Sequence, residues 1–215
     1  MPLVAGCPRC RADVDLRVPD GRPRCPTHGE VHRPLWRPGD PVAVSYEEFA
    51  DHLGTAAGFP TYLPWPMSPG WFVTDFAVAA GDRVWATATC VSGTSELDGP
   101  VDVFVVAEEP GTGLGARCAG IEQGDPGREV GEGPPAVRVR IGSQSVPLWV
   151  VSTSAADDRF DRSVFVGEAD GRWLWLVLRP ASAMLLLRDD WILRDVSSVG
   201  PPLVETPFGG PRPVW

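Results

Sequence analysis

The 215-residue chain contains no lysine and no asparagine, so all nineteen of its basic residues are arginine. Without a lysine amine it can form no Schiff base with a carbonyl substrate or with pyridoxal phosphate. It also lacks the lysine with which P-loop proteins and protein kinases grip phosphate. Without asparagine it carries no Asn-linked glycosylation sequon. Long apolar runs are missing too: residues 173–178 fall far short of the roughly 18 apolar residues that span a bilayer, and suit a buried strand. Histidine is scarce, and no Gly-x-Ser-x-Gly motif accompanies it, so nothing in the sequence supports a serine-hydrolase arrangement.

Residues 3–7, Leu-Val-Ala-Gly-Cys, spell a lipoprotein cleavage box. Only two residues precede them, too few for a charged segment and an apolar core, so no leader or membrane anchor is expected. The five cysteines are then expected to be metal-bound or free in a reducing cytoplasm rather than paired as disulfides.

The composition is 43% hydrophobic and 22% charged, which is that of a folded chain, and the length allows one substantial core with a small appendage. The arginine bias, with 24 Gly and 24 Pro, suggests a GC-rich genome. Charge is divided unevenly: residues 1–38 carry a net +3 and residues 39–215 a net −12. A basic cap on an acidic body offers one route to nucleic acid. The body's repulsion of phosphate and the lack of stacking aromatics before Trp36 disfavour it.

The strongest motif lies at the start. Cys7-Pro8-Arg9-Cys10 is followed, after fourteen residues, by Cys25-Pro26-Thr27-His28-Gly29. Each run places two soft or borderline ligands on one tight turn, and two such turns supply the four corners of a tetrahedral zinc site. His28 occupies the place of a fourth cysteine and is the expected fourth ligand; His32 is the alternative. Residues 12–18 alternate in the manner of a strand before a turn at 19–21, which gives a zinc-ribbon layout. A module of this size cannot bury enough apolar surface alone, so the metal would contribute on the order of 10 kcal/mol of folding free energy. With four protein ligands the shell is closed, and the zinc's role is structural.

Residues 39–60 read as a linker and a capped helix. Ser45 is its N-cap, Glu48 the capping-box partner, Val44 and Phe49 a hydrophobic staple, and Gly58 with Pro60 its end. The apolar face is expected to hold Tyr46, Phe49, Ala50, Leu53 and Ala57, leaving His52 on the polar side. Residues 61–199 form the main domain, with strands expected at 71–78, 84–91, 101–107, 136–141, 146–152, 163–168, 173–178 and 191–196. Trp173 and Trp175 point opposite to Leu174, Leu176 and Leu178, so that strand should be covered on both faces. Residues 181–187 fit helix or strand, and the Pro/Gly-rich tail, 200–215, should wrap the surface or fray. The expected fold is therefore α+β and β-rich: a zinc ribbon (1–38), then a mainly antiparallel sheet or sandwich with one or two helices.

Between two of these strands lies a long glycine-rich loop. Gly111, Gly113 and Gly115 with Arg117 loosely fit a phosphate-cradling pattern, in which backbone amides receive an anion and Arg117 supplies the charge. Glu108 and Glu109, just before it, would repel that anion. Cys118, beside Arg117, is the cysteine whose thiolate has a neighbouring cation, and His52 is its one conceivable base.

The zinc ribbon, the His28-Gly29-Glu30-Val31-His32 run, Pro64-Trp65-Pro66, Ala107-Glu108-Glu109-Pro110 leading into the glycine loop, and Gly167-Glu168 with Trp173-Leu174-Trp175 together resemble a family of actinobacterial proteins. These have an N-terminal zinc ribbon and a Trp-rich β domain of unknown function. The resemblance implies a cytoplasmic zinc-ribbon protein and transfers no catalytic residue. A phosphotransacetylase label associated with such proteins does not match the size or β-rich pattern of this chain. The leading reading is a non-enzymatic binding or regulatory protein with a protein or small-molecule partner. Acyl or phosphoryl transfer at the glycine loop is the runner-up, and nucleic-acid association comes third.

Overall fold

Leu174, Leu176 and Leu178 alternate with Trp173, Trp175 and Val177, and the strand they form has a separate apolar layer against each face. The computed structural model describes residues 3–17, 21–39, 43–151, 161–188, 191–198, 203 and 205–214. Residues 19–20 of the expected turn and 40–42 of the expected linker fall outside these. The strands are β1 (Leu3–Gly6), β2 (Arg24–Cys25), β3 (Gly29–Glu30), β4 (Leu35–Pro38), β5 (Tyr62–Pro64), β6 (Phe72–Ala80), β7 (Val84–Ser95), β8 (Gly99–Glu108), β9 (Val137–Ile141), β10 (Gln144–Val150), β11 (Ser163–Ala169), β12 (Arg172–Arg179) and β13 (Ile192–Asp195). The helices are α1 (Tyr46–Ala56), α2 (Leu114–Ala119) and a 3-10 helix at Ala181–Arg188, which settles the ambiguity at 181–187.

Among the described residues, eleven strands form one sheet in the order β1-β4-β6-β7-β8-β12-β11-β10-β9-β13-β5. β9 and β13 pair in parallel, and the other neighbours are antiparallel. The fold is β-rich and mainly antiparallel, as the strand pattern predicts. It is a single curled sheet rather than two stacked ones. Curling brings β5 back over β7, where the Thr89 hydroxyl donates to the Tyr62 carbonyl at 2.7 Å. One side holds Leu63, Phe76, Phe165 and Leu176 packed with Phe49 of α1; the other holds Leu35, Phe104, Trp175 and Val177 packed with Leu114 of α2.

The N-terminal segment is part of this sheet. β4 pairs β6 through Leu35–Ala79 and Trp36–Val78, and β1 pairs β4 outside it. The described residues of the expected strand at 12–18, residues 12–17, form only isolated bridges, Gly6 to Asp13 and Asp15 to Arg24. The described part of the tail is docked. Pro207 and Gly209 hydrogen-bond to Val73, Phe208 packs on Tyr46 and Phe49, and Arg212 pairs with the fully buried Asp75 at 2.8 Å.

α1 has the expected cap: Ser45 accepts from Glu48 N at 3.2 Å, and the Glu48 carboxylate accepts from Ser45 N at 2.8 Å. Its left-handed terminating residue is Ala57 (φ 48°), one position before Gly58. His52 is not on the polar side. It follows Phe49 by three positions and so shares its face, with its ring 5.6 Å from Phe49 and 5.0 Å from Phe76 between centroids. Burial pulls its pKa down to about 3, and the neutral imidazole serves as core filler.

The folded state keeps this ring neutral while the unfolded chain takes up a proton near the ordinary value of 6.5. Its contribution is therefore full above pH 6.5 and is lost as pH falls from there toward 3. His52→Phe should remove that loss, worth about 1.4 kcal/mol per pH unit in the window. Urea midpoints of variant and wild type at pH 6.5 and 4.5 should converge at the higher pH and separate at the lower.

Candidate metal centre and adjoining cleft

The two Cys-Pro turns fold as their spacing requires. Cys7 N closes the first turn on Ala12 O at 3.1 Å, and Arg9 N points at Cys7 Sγ at 3.5 Å. In the second turn Thr27 N points at Cys25 Sγ at 3.4 Å, and Gly29 completes it at φ 72°, a conformation that favours glycine. The short β2–β3 hairpin joins Cys25 to Gly29. As a result Cys7, Cys10, Cys25 and His28 bring their donor atoms within 4.8 Å of one another and could hold a metal ion. Cys10 Sγ lies 3.6 Å from Cys25 Sγ, and His28 Nδ1 lies 3.5 Å from Cys7 Sγ and 3.7 Å from Cys25 Sγ. A tetrahedron with metal–sulfur bonds of about 2.3 Å has edges of about 3.8 Å, close to these three separations.

His28 is the fourth member. His32 points away, exposed, with Nδ1 3.4 Å from Glu30. Burial pushes the Cys25 thiol up, but amide donors at His28 and Thr27 and the His28 ring outweigh it and bring the pKa down to about 6, which favours the ligating thiolate.

Apolar support for the cluster is small: Ala5, Val14 and Val31 with Trp36. The body supplies the rest. Arg117 donates to the Cys7 carbonyl, Trp36 Nε1 donates to Ala80 O at 3.2 Å, and Gly81 lies so close to the His32 carbonyl that a Cβ there would overlap it.

The glycine loop is not the anion cradle its pattern suggests. Glu108, fully buried, turns its own Oε2 onto Leu114 N at 2.7 Å and Gly115 N at 3.2 Å. The carboxylate thus occupies the amide cradle that an external anion would need. Gly115 is required for another reason, since the Trp175 indole lies against it and leaves no room for a Cβ. Arg117 faces the metal turns rather than the cradle; Gly111 is exposed, and the buried Gly113 lies against the Arg9 side chain. Burial pushes the Glu108 carboxyl up to about 7, with the two amides and Trp175 opposing. Cys118 is fully buried, and burial raises its thiol to about 12, so it is an inert core residue. It lies in the apolar layer opposite the one that holds Phe49, with which His52 stacks, so the sheet separates the two.

Between the metal turns and the body runs a cleft of about 570 Å³. Cys7, Arg9, His28, Glu30, His32 and Arg33 form one wall; Asp82, Trp85, Gly111 and Thr112 form the other. Sequence reasoning missed it, because Trp85 sits at the start of a strand and reads as core. The chain belongs to a family of unknown function, DUF6758. The family model matches residues 1–214. Comparison with curated proteins and with solved structures gave no match. Among the described residues, no helix is long and apolar enough to cross a membrane.

Two outcomes follow from these contacts. Cys25→Ser should abolish metal retention and raise amide hydrogen exchange in β1 and β4, while β7, β8 and β12 stay protected. Glu108 should lose stability with rising pH: below its ordinary 4.5 both states are protonated, and between 4.5 and about 7 only the folded state holds the proton. Glu108→Gln should remove this fall, about 3 kcal/mol at pH 7 and above, read from denaturant midpoints at pH 4.5 and 7.5.

Proposed function

We propose that this member of DUF6758 is a zinc-stabilised, non-enzymatic binding protein that takes up its ligand or partner in the cleft beside the metal turns. The observation that carries the reading is that Cys7 and His28, two of the four cluster residues, also line the cleft. A metal that fixes these residues fixes one wall, while the sheet fixes the other through Trp85. Three sulfurs and one imidazole nitrogen in a set of tetrahedral dimensions favour zinc over harder cations. Bound zinc would supply cross-linking of the two turns. With all four positions taken by protein it would offer no site for water or substrate.

Native mass spectrometry should find one zinc per chain, retained in His32→Ala and lost in Cys25→Ser. In the zinc form, an NMR screen of small fragments should shift signals of the Trp85 indole and Thr112. Chelation should abolish those shifts. A panel that leaves the cleft signals unmoved would argue against the reading.

A further inference from the structure

Two guanidinium groups in the cleft converge on one neutral acceptor. Arg9 Nη2 lies 3.5 Å and Arg33 Nη1 3.4 Å from the carbonyl oxygen of Gly111. Both distances are at the limit of a hydrogen bond, and a single carbonyl cannot satisfy two five-donor forks. The two side chains are nonetheless held in place. Arg33 lies over the Trp85 ring, 3.4 Å from its centroid, and the ring is itself fixed by its Nε1 donating to Asp82 at 3.1 Å. The stem of Arg9 lies across Gly113, where a Cβ would approach Arg9 Cγ to 3.1 Å. The glycine loop thus serves as a platform for arginines from the metal turns.

Each acid around the cleft already has its own partner. Glu30 is taken by Arg22 at 3.2 Å and His32 at 3.4 Å. Asp82 receives Trp85 Nε1 and Arg83 N, and Asp125 receives Gly111 N at 2.7 Å. Glu109 lies between Arg83 and Arg172, at 3.6 and 3.3 Å. Arg83 occupies the other face of Trp85, 3.8 Å from its centroid. Burial first, then the charges of Arg83 and Arg9, hold the Arg33 guanidinium below its ordinary value, with Asp82 and Glu109 opposing. Arg9 and Arg33 repel each other, and an anion between them would relieve that repulsion.

We propose that Arg9 and Arg33 bind a tetrahedral dianion, the phosphate group of a small phosphorylated ligand, in the cleft beside Gly111. Two positive charges match a dianion, and two planar forks match the several oxygens of a phosphate better than they match one carboxylate. The remaining cleft volume accommodates the organic part. This inference rests on the reading of the cleft as a ligand site and adds the ligand's chemical class.

The test uses the full-length zinc-loaded chain in phosphate-free buffer, with phenyl phosphate and inorganic phosphate as probes in NMR titrations. Saturable shifts at Gly111 and the Trp85 indole are expected, with affinity lowered about tenfold or more by Arg9→Gln or Arg33→Gln, the loss of one charge-assisted contact. Arg138→Gln, on β9 away from the cleft, should leave affinity unchanged, and zinc content should be equal in all three variants. Phosphate binding that survives the Arg9→Gln/Arg33→Gln double change would overturn the assignment. Phenol and benzyl alcohol separate this inference from the reading beneath it. If they shift the cleft signals and the phosphates do not, the dianion site fails and the binding-protein reading stands; if no probe shifts them, both fail.

Discussion

A cysteine-rich segment of some 38 residues has too little apolar surface to hold its own shape, and the geometry of the cleft depends on how that deficit is met. Two constraints meet it from opposite sides. A metal ion in the four-residue cluster would fix the turns to each other, and pairing of β4 with β6 fixes them to the sheet. Arg117 joins the two, since it belongs to α2 and donates to the carbonyl of a cluster residue. A metal ion held there would shape a surface that extends beyond its own module. The turns and Trp85 are distant in sequence, yet each forms one wall of the same cavity.

Buried charge in this protein is answered locally. Asp75 is fully buried between Arg212 of the tail and Arg37 after β4's tryptophan, so one carboxylate ties the chain's two ends to β6. Burying an ion pair seldom adds stability over a hydrophobic alternative, but removing one partner is costly. The arrangement therefore specifies where the ends go. Glu108 does comparable work for the glycine loop, capping amides that would otherwise be unsatisfied at the start of α2.

Much of this was legible in the sequence because the signals were local. Ligand spacing picked out Cys7, Cys10, Cys25 and His28, the Ser45–Glu48 box placed α1, and alternation around Trp175 showed a strand covered on both faces. What stayed hidden was set by tertiary context. β4 and β5 are short and contain proline, so nothing in their composition marks them as sheet strands; they pair because neighbours present open edges. His52 looked polar by residue type, but its place three residues after Phe49 decided its burial. The glycine loop matched a phosphate pattern, and Glu108, read as repelling an anion, turned out to replace it.

That substitution also explains why the loop can serve a ligand from its other side. With Leu114 and Gly115 amides satisfied internally, the loop needs no external anion to keep its form. Gly111 then presents an ordered carbonyl, and Gly113 a surface without a Cβ, to the arginines of the metal turns. The uneven charge of the sequence acquires a physical meaning here. Part of the basic surplus in residues 1–38 is consumed by the body, through Arg37 with Asp75. Another part, Arg9 and Arg33, reaches the body and hydrogen-bonds to a neutral oxygen, with Asp82 and Glu109 acting on Arg33 through space. An acidic body with many carboxylates could have supplied one at this position. That the hydrogen-bond acceptor is a backbone carbonyl beside an open cavity leaves two cleft-lining guanidiniums with donors to spare, which the proposed anion would take up.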